Sequence, residues 1–317
     1  MIVEAHNLTV TIGSGQAVRE LSLSVRPGDR IGVVGESGCG KTMLGLAMIG
    51  MTPDAARVEG SLKLDETEMV GASERRWQQL RSRRVAMIFQ EPMAALNPIK
   101  RVGDTVMEPL IVHMGLSREA ARDRVLSLFE EVGIPDPEAR LRQFPHEISG
   151  GQRQRVLIAL ALSCDPGLLI ADEPTTALDA NVALRITELL ARLARERTMA
   201  LLFISHDLAA VARATDDMLV MYGGDVVERG PTAEVLRAPR HPYTQGLLSA
   251  RPSPDSLRDT GGRRPRLPTI PGAVPPLADL PAGCRFAGRC PVELPVCAGQ
   301  RPPASGGAIC HRLESAT

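Results

Sequence analysis

An α/β fold built around a parallel sheet is what this sequence predicts, on three observations. The apolar run IGVVG (31–35) leads directly into a glycine-rich loop and then a helical stretch. Beyond residue 168, short apolar runs alternate with helix-patterned segments, the signature of strands and crossover helices in one sheet. Between these two regions, from about Val102 to Leu162, apolar residues recur at helical spacing alone, which marks a helical insertion.

The elements follow in order. Val3 to Ile12 and Ala17 to Val25 alternate apolar and polar residues about a Gly-Ser-Gly turn, as two half-buried strands do. An Arg-Pro-Gly-Asp turn then enters IGVVG, whose continuous apolarity suits a strand buried on both faces. Thr42 to Met51 reads as a helix, the charged Ser73 to Arg84 as another, and VAMIFQ (85–90) as a strand. The helical insertion, about 94–162, breaks at Pro135 to Pro137 and at Pro145. Strand Leu168 to Ala171, helix Asn181 to Glu196, strand Ala200 to Ser205, helix Leu208 to Ala214 and strand Met218 to Tyr222 complete the alternation. After Ser249 the composition shifts to proline, glycine and arginine, and periodicity is lost. The expected division is a core domain at 1–249 and a loop-rich extension at 250–317, with no internal repeat.

At 317 residues and 44% hydrophobic content the chain can bury a core without staples. Thirty-seven basic residues balance thirty-seven acidic ones, so charge alone recruits neither nucleic acid nor an anionic membrane. No apolar run approaches the eighteen or so residues that span a bilayer, and the N-terminus lacks a signal-peptide pattern. The expected location is therefore cytoplasmic, with membrane contact only by docking to other subunits. Of six cysteines, Cys39 and Cys164 stand singly, whereas Cys284, Cys290, Cys297 and Cys310 crowd near the end of the chain.

GESGCGKT (35–42) fits G-x-x-x-x-G-K-[ST] in the strand-loop-helix setting that pattern needs. Gly35, Gly38 and Gly40 let the backbone of Glu36, Ser37 and Cys39 wrap phosphate with its N–H groups. The helix start adds positive potential, Lys41 reaches the terminal phosphates, and Thr42 can ligate magnesium. LLIADEP (168–174) sets Asp172 and Glu173 at the end of an apolar strand, where carboxylates are costly to bury. ISGGQRQR (148–155) supplies small residues and amides at a helix start, a second phosphate-type site.

Together these runs resemble the ATP-binding cassette ATPases, and the resemblance spans essentially the whole chain. It implies a P-loop nucleotide-binding domain with a mixed sheet core and a helical subdomain. It assigns Asp172, Thr42 and Gln90 to magnesium, Glu173 to the attacking water as general base, and His206 of FISHD to the γ-phosphate. Gln90, at the head of QEPMAALNP, would also contact the water while its loop faces the membrane subunit. Ser149, Gly150, Gly151 and Gln152, with Asp179 of TALD, would face ATP held mainly by a second nucleotide domain. The family commonly stacks adenine on an aromatic near the end of the first strand. Here no aromatic precedes Trp77, and Thr11 or Ile12 occupies that region, so weak adenine discrimination, or reliance on the partner chain, is expected.

RHPYTQGLL (240–248) and IPGAVPP (270–276) further resemble the C-terminal extension of bacterial dipeptide and oligopeptide importer ATPases. That implies a sibling ATPase subunit, two permease subunits and an extracytoplasmic solute-binding protein as partners, no nucleic acid, and a peripheral position on the inner face of the cell membrane. Importers of nickel, glutathione or oligosaccharides share these features. A soluble cassette ATPase of translation or DNA repair is the rival class, but such proteins carry paired cassettes or a long coiled-coil insertion. The tail spacing Cys-x5-Cys-x6-Cys-x12-Cys offers four thiolates for a [4Fe-4S] cluster or for structural zinc, with His311 able to replace one; disulfides or free thiols are the third reading. Zinc sites usually use tight Cys pairs, absent here, so the cluster is the expectation.

Overall fold

The structure, a computed structural model, describes residues 1–90, 95–250 and 269–316. Residues 91–94 of QEPMAALNP and 251–268 of the extension lie outside these residues. Among them, two sheets enclose the first helix. Strands β1 (Val3–Ile12), β2 (Gly15–Val25), β4 (Ala56–Leu64) and β5 (Thr67–Glu68) form an antiparallel sheet in the order β2-β1-β4-β5. The second sheet holds β3 (Arg30–Val34), β6 (Val85–Ile88), β7 (Leu168–Asp172), β8 (Ala200–Ile204) and β9 (Asp217–Tyr222). It continues through β10 (Asp225–Pro231), β11 (Ala304–Ser305) and β12 (Ala308–Ile309), in the order β11-β12-β10-β9-β3-β8-β7-β6.

The five strands from β9 to β6 are parallel; β10, β12 and β11 add antiparallel to the β9 edge. The parallel strands are apolar throughout because both faces are covered. Leu168, Ile170, Leu202 and Ile204 face the antiparallel sheet and α1 (Lys41–Met48). Leu169, Ala171, Leu201 and Phe203 face the helical layer. That layer includes α7 (Ala180–Glu196), α8 (Leu208–Ala214) and the insertion, whose helices are α3 (Val102–Met114), α4 (Arg118–Glu131), α5 (Pro137–Arg140) and α6 (Gly150–Leu162). The remaining helices are α2 (Glu74–Leu80), α9 (Thr232–Arg237) and α10 (Pro242–Ser249).

The sequence pattern missed β4 and β10. Gly60 interrupts β4 at φ +92°, where a Cβ would meet Asn7 O at 2.4 Å, and the β1 register shifts between His6 and Thr9 opposite it. A glycine inside a strand marks such an irregularity and blurs the alternation. The extension, expected to have little core of its own, borrows the core of the main body: Phe286 is buried in the same cluster as Tyr222 and Tyr243, and β12 pairs with β10.

Candidate nucleotide site

A cleft of about 610 Å3 opens where β3 ends. Its floor is the 35–42 loop, in which Gly35 and Gly40 are fixed by close approach. A Cβ on Gly35 would lie 2.2 Å from Met221 O, and one on Gly40 (φ +103°) 1.9 Å from Ala17 O. Gly40 caps α1 in the left-handed conformation, which aims the first helical amides at the cleft. Lys41 is buried, and its Nζ donates to Gly35 O (2.8 Å) and Glu36 O (3.0 Å). Cys39 is fully buried and burial pushes its thiol pKa up against the opposing pull of Lys41, so it serves as packing.

The catalytic side of the cleft comes from the neighbouring strand ends. Parallel register carries Asp172 and Glu173 off β7 and His206 off β8, and Gln90, just after β6, lines the same wall. Asp172 is 1% exposed, and its Oδ1 has no hydrogen-bond partner. Burial raises its pKa, the Thr42 hydroxyl opposes that by hydrogen bonding, and Glu173 adds to the rise. A buried carboxylate oxygen without a donor, beside a hydroxyl and a phosphate loop, is the donor set a magnesium ion takes when phosphates supply further ligands. Among the described residues no three His, Cys, Asp or Glu side chains form a metal-holding group, and a site that borrows phosphate oxygens needs none.

Glu173 holds a positive φ of 47°, a strained conformation for a non-glycine residue. Its N–H donates to Ile204 O (2.9 Å), and its carboxylate meets His206 Nδ1 at 2.8 Å and Thr176 Oγ1 at 3.4 Å. The carboxylate is thus oriented by two neighbours while His206 remains 70% exposed on the cleft rim.

Ser149 to Gln152 lie elsewhere, on the surface. Gln152 N–H donates to Ser149 Oγ (3.3 Å) and Ser149 N–H donates to Gln152 Oε1 (3.0 Å), a capping box that fixes the start of α6. Asp179 accepts from Asn181 and Val182 N–H at the start of α7. The two helix starts touch: a Cβ on Gly151 would meet Val182 Cγ1 at 2.9 Å, and one on Gly150 would meet Leu178 at 3.7 Å. They form one surface, and none of these residues lines the cleft.

Sequence reasoning missed a clamp on the phosphate loop. Arg289, in the extension, pairs with both Glu36 oxygens (2.8 and 3.1 Å) and also donates to Tyr222 OH, Pro271 O and Gly272 O. Glu36 N–H donates to Tyr243 OH at 2.8 Å. The available signal was Glu36 itself, since a carboxylate within a phosphate loop needs a cation nearby.

The tail thiols are all free and influence one another: Cys284 is pushed up to about 11, chiefly by burial, with Cys297, Cys290 and Cys310 adding to the rise. Their donor chemistry suits a thiolate-bound group. The expected metal-holding arrangement is nevertheless absent among the described residues. His311 instead bonds Gln300 O through Nε2 at 3.0 Å.

A second cleft, about 850 Å3 and largely apolar, separates the core from the insertion. Ile49, Met51 and Phe89 line one wall, Pro109, Val112 and Leu160 the other. Val112 is 68% exposed. Among the described residues no helix is long and apolar enough to cross a membrane.

Residues 18–176 match the family model described as ABC transporter, and residues 227–297 match that for the C-terminal region of oligopeptide/dipeptide transporters. The dipeptide transport ATP-binding protein of Escherichia coli is 45% identical over 288 residues, 90% of this chain and 86% of the relative. That of Haemophilus influenzae is 42% identical over 306 residues, covering 95% and 91%. Among solved structures, an ATP-binding cassette dimer in a post-hydrolysis state with ADP and phosphate aligns at TM-score 0.64 and 26% identity, over 73% of this chain and 98% of the other.

Proposed function

The chain belongs to the ABC transporter family as the ATP-hydrolysing subunit of a peptide importer, and we propose that the cleft at the end of β3 is where it hydrolyses ATP. The observation that carries the assignment of residues is the convergence of Lys41, Thr42, Gln90, Glu173 and His206 on one cleft, with the unpartnered Oδ1 of buried Asp172 beside Thr42.

In this reading the loop amides and Lys41 hold the phosphates, the ammonium exchanging loop carbonyls for phosphate oxygens. Thr42, Asp172 and Gln90 hold magnesium, which when bound neutralises charge on the phosphate oxygens. Glu173, oriented by His206 and Thr176, accepts the proton of the attacking water. His206, on the rim, reaches the γ-phosphate. The Ser149–Gln152 surface and Asp179 close on ATP held mainly by a second nucleotide domain, a sibling ATPase chain, as their place outside this chain's own cleft supports.

The apolar cleft beside Gln90 receives a permease subunit, since its exposed aliphatic walls suit an apolar helix end. The chain then sits peripherally on the cytoplasmic face of the membrane, in a complex with two permeases and an extracytoplasmic solute-binding protein. For the tail, the thiol chemistry of Cys284, Cys290, Cys297 and Cys310 is what supports a structural [4Fe-4S] cluster, while their placement among the described residues forms no metal-holding group; iron analysis and a visible spectrum of anaerobically prepared protein check this, and zinc without iron would overturn it.

Copurification of the complex followed by ATPase assays tests the transport reading. Dipeptide-loaded solute-binding protein is expected to stimulate hydrolysis; stimulation by nickel or glutathione with none by peptides would contradict it.

A further inference from the structure

The apolar end of the nucleotide cleft contains a residue from the far end of the chain. Ile12 and Ala17, from the β1–β2 hairpin, are joined there by Leu277 of the extension. This end lies opposite the catalytic wall. The β9–β10 turn flanks the phosphate loop on the β9 side, with Gly224 N–H donating to Cys39 O (3.0 Å), and Arg19 N–H of β2 donates to Gly224 O (2.8 Å). Glu173 and His206 flank the loop from β7 and β8. A nucleotide with its phosphates on Lys41 and its γ-phosphate toward Glu173 therefore directs its base toward the hairpin and Leu277.

Leu277 is seated by design of its surroundings. A Cβ on Gly15 would come within 2.4 Å of Leu277 Cβ, so the glycine allows direct contact between the extension and the hairpin. The segment that follows is fastened to the same hairpin. Buried Arg19 donates from Nε to Asp225 (2.7 Å), and its other nitrogens reach Ala282 O (2.9 Å) and Gly283 O (3.1 Å). Arg285 donates to Gln16 Oε1 at 2.9 Å.

We propose that Leu277 of the C-terminal extension forms, with Ile12, the shelf on which the nucleotide base rests, in a chain that has no aromatic before Trp77 to do so. The proposal rests on the cleft being the ATP site. Apolar burial supplies the contact, and three aliphatic side chains offer no hydrogen bond to a base edge, so adenine and guanine are held alike.

Equilibrium binding of MgATP, MgGTP and magnesium tripolyphosphate to the full-length chain tests this. Leu277→Ser is expected to weaken ATP and GTP about fivefold, equivalent to about 1 kcal/mol, and to leave tripolyphosphate unchanged. Leu277→Trp is expected to tighten both nucleotides, again without affecting tripolyphosphate, because a ring stacks where an aliphatic chain only touches. Equal losses for nucleotides and tripolyphosphate would make Leu277 a prop for the loop, and no change in any ligand would remove it from the site; either overturns the proposal. Lys41→Ala is the control for the underlying reading: if it leaves tripolyphosphate binding intact, the cleft itself is misassigned and the shelf falls with it.

Discussion

The two glycine-rich turns proposed to meet phosphate are built in opposite ways. The 35–42 loop is enclosed: Lys41 is buried, Gly35 and Gly40 press on backbone carbonyls, and Glu36 is gripped by Arg289 and Tyr243 from sequence positions more than 200 residues away. The Ser149–Gln152 turn is held by its own capping box and by contact with the start of α7, and Ser149 and Gly150 are exposed. The first is a pocket preorganised to hold a charged ligand in place. The second is a partly exposed surface outside this chain's own cleft, the placement the proposed function needs for a group that acts on a ligand brought by another molecule.

The largest expected break in this comparison is on the enclosed side. Glu173→Gln removes the proposed proton acceptor while leaving the loop untouched, and should cut hydrolysis by the assembled transporter about 10²- to 10⁴-fold with ATP still bound. Undiminished turnover would place the base elsewhere.

Next comes the titratable part of the enclosure. His241 is buried and accepts the Tyr243 N–H through Nδ1, fixing the start of α10, which carries the hydroxyl that meets Glu36. Burial lowers its pKa from 6.5 to about 4. Between those values the unfolded chain binds a proton that the folded chain refuses, so stability is full above pH 6.5 and falls by about 3 kcal/mol as pH drops toward 4. Urea denaturation at several pH values should show this slope, and His241→Asn should flatten it; an unaltered slope would assign the acid loss to other groups.

The smallest effect sharpens the role of the extension. Arg289→Ala leaves the Glu36 carboxylate uncompensated beside bound phosphate and should weaken ATP binding about tenfold. Adding Glu36→Gln should recover most of that loss, a coupling that a double-mutant cycle measures. If the second substitution recovers nothing, Arg289 acts through packing alone.

What the sequence made legible tracks how local the physics is. The phosphate loop, the Asp172–Glu173 strand end and His206 each follow an apolar run directly, because parallel strands deliver the residues after their carboxyl ends to one edge. The structure brings them into one cleft with Gln90. Arg289 and Leu277 left no such trace, since a lone arginine and a lone leucine in a loop-rich segment look alike whether they touch the core or solvent. The pairing of β12 with β10 joins residues some eighty positions apart through Glu228 and Ala308, a match that no periodicity encodes. The tail cysteines were legible as a set, but spacing alone does not dictate how closely their sulfur atoms converge.

In the proposed function this chain binds ATP with one glycine-rich turn and serves a partner's ATP with the other. Gly151→Asp separates them: a carboxylate on the exposed turn repels incoming phosphate, at the cost of a small displacement of Val182. ATP affinity of the isolated chain and ATPase activity of the full transporter are then measured together, with thermal melting to confirm folding. The expected result is near-native affinity with hydrolysis lost across the interface. An ATP affinity reduced as far as in Lys41→Ala, or a transporter that still hydrolyses at the native rate, would contradict it.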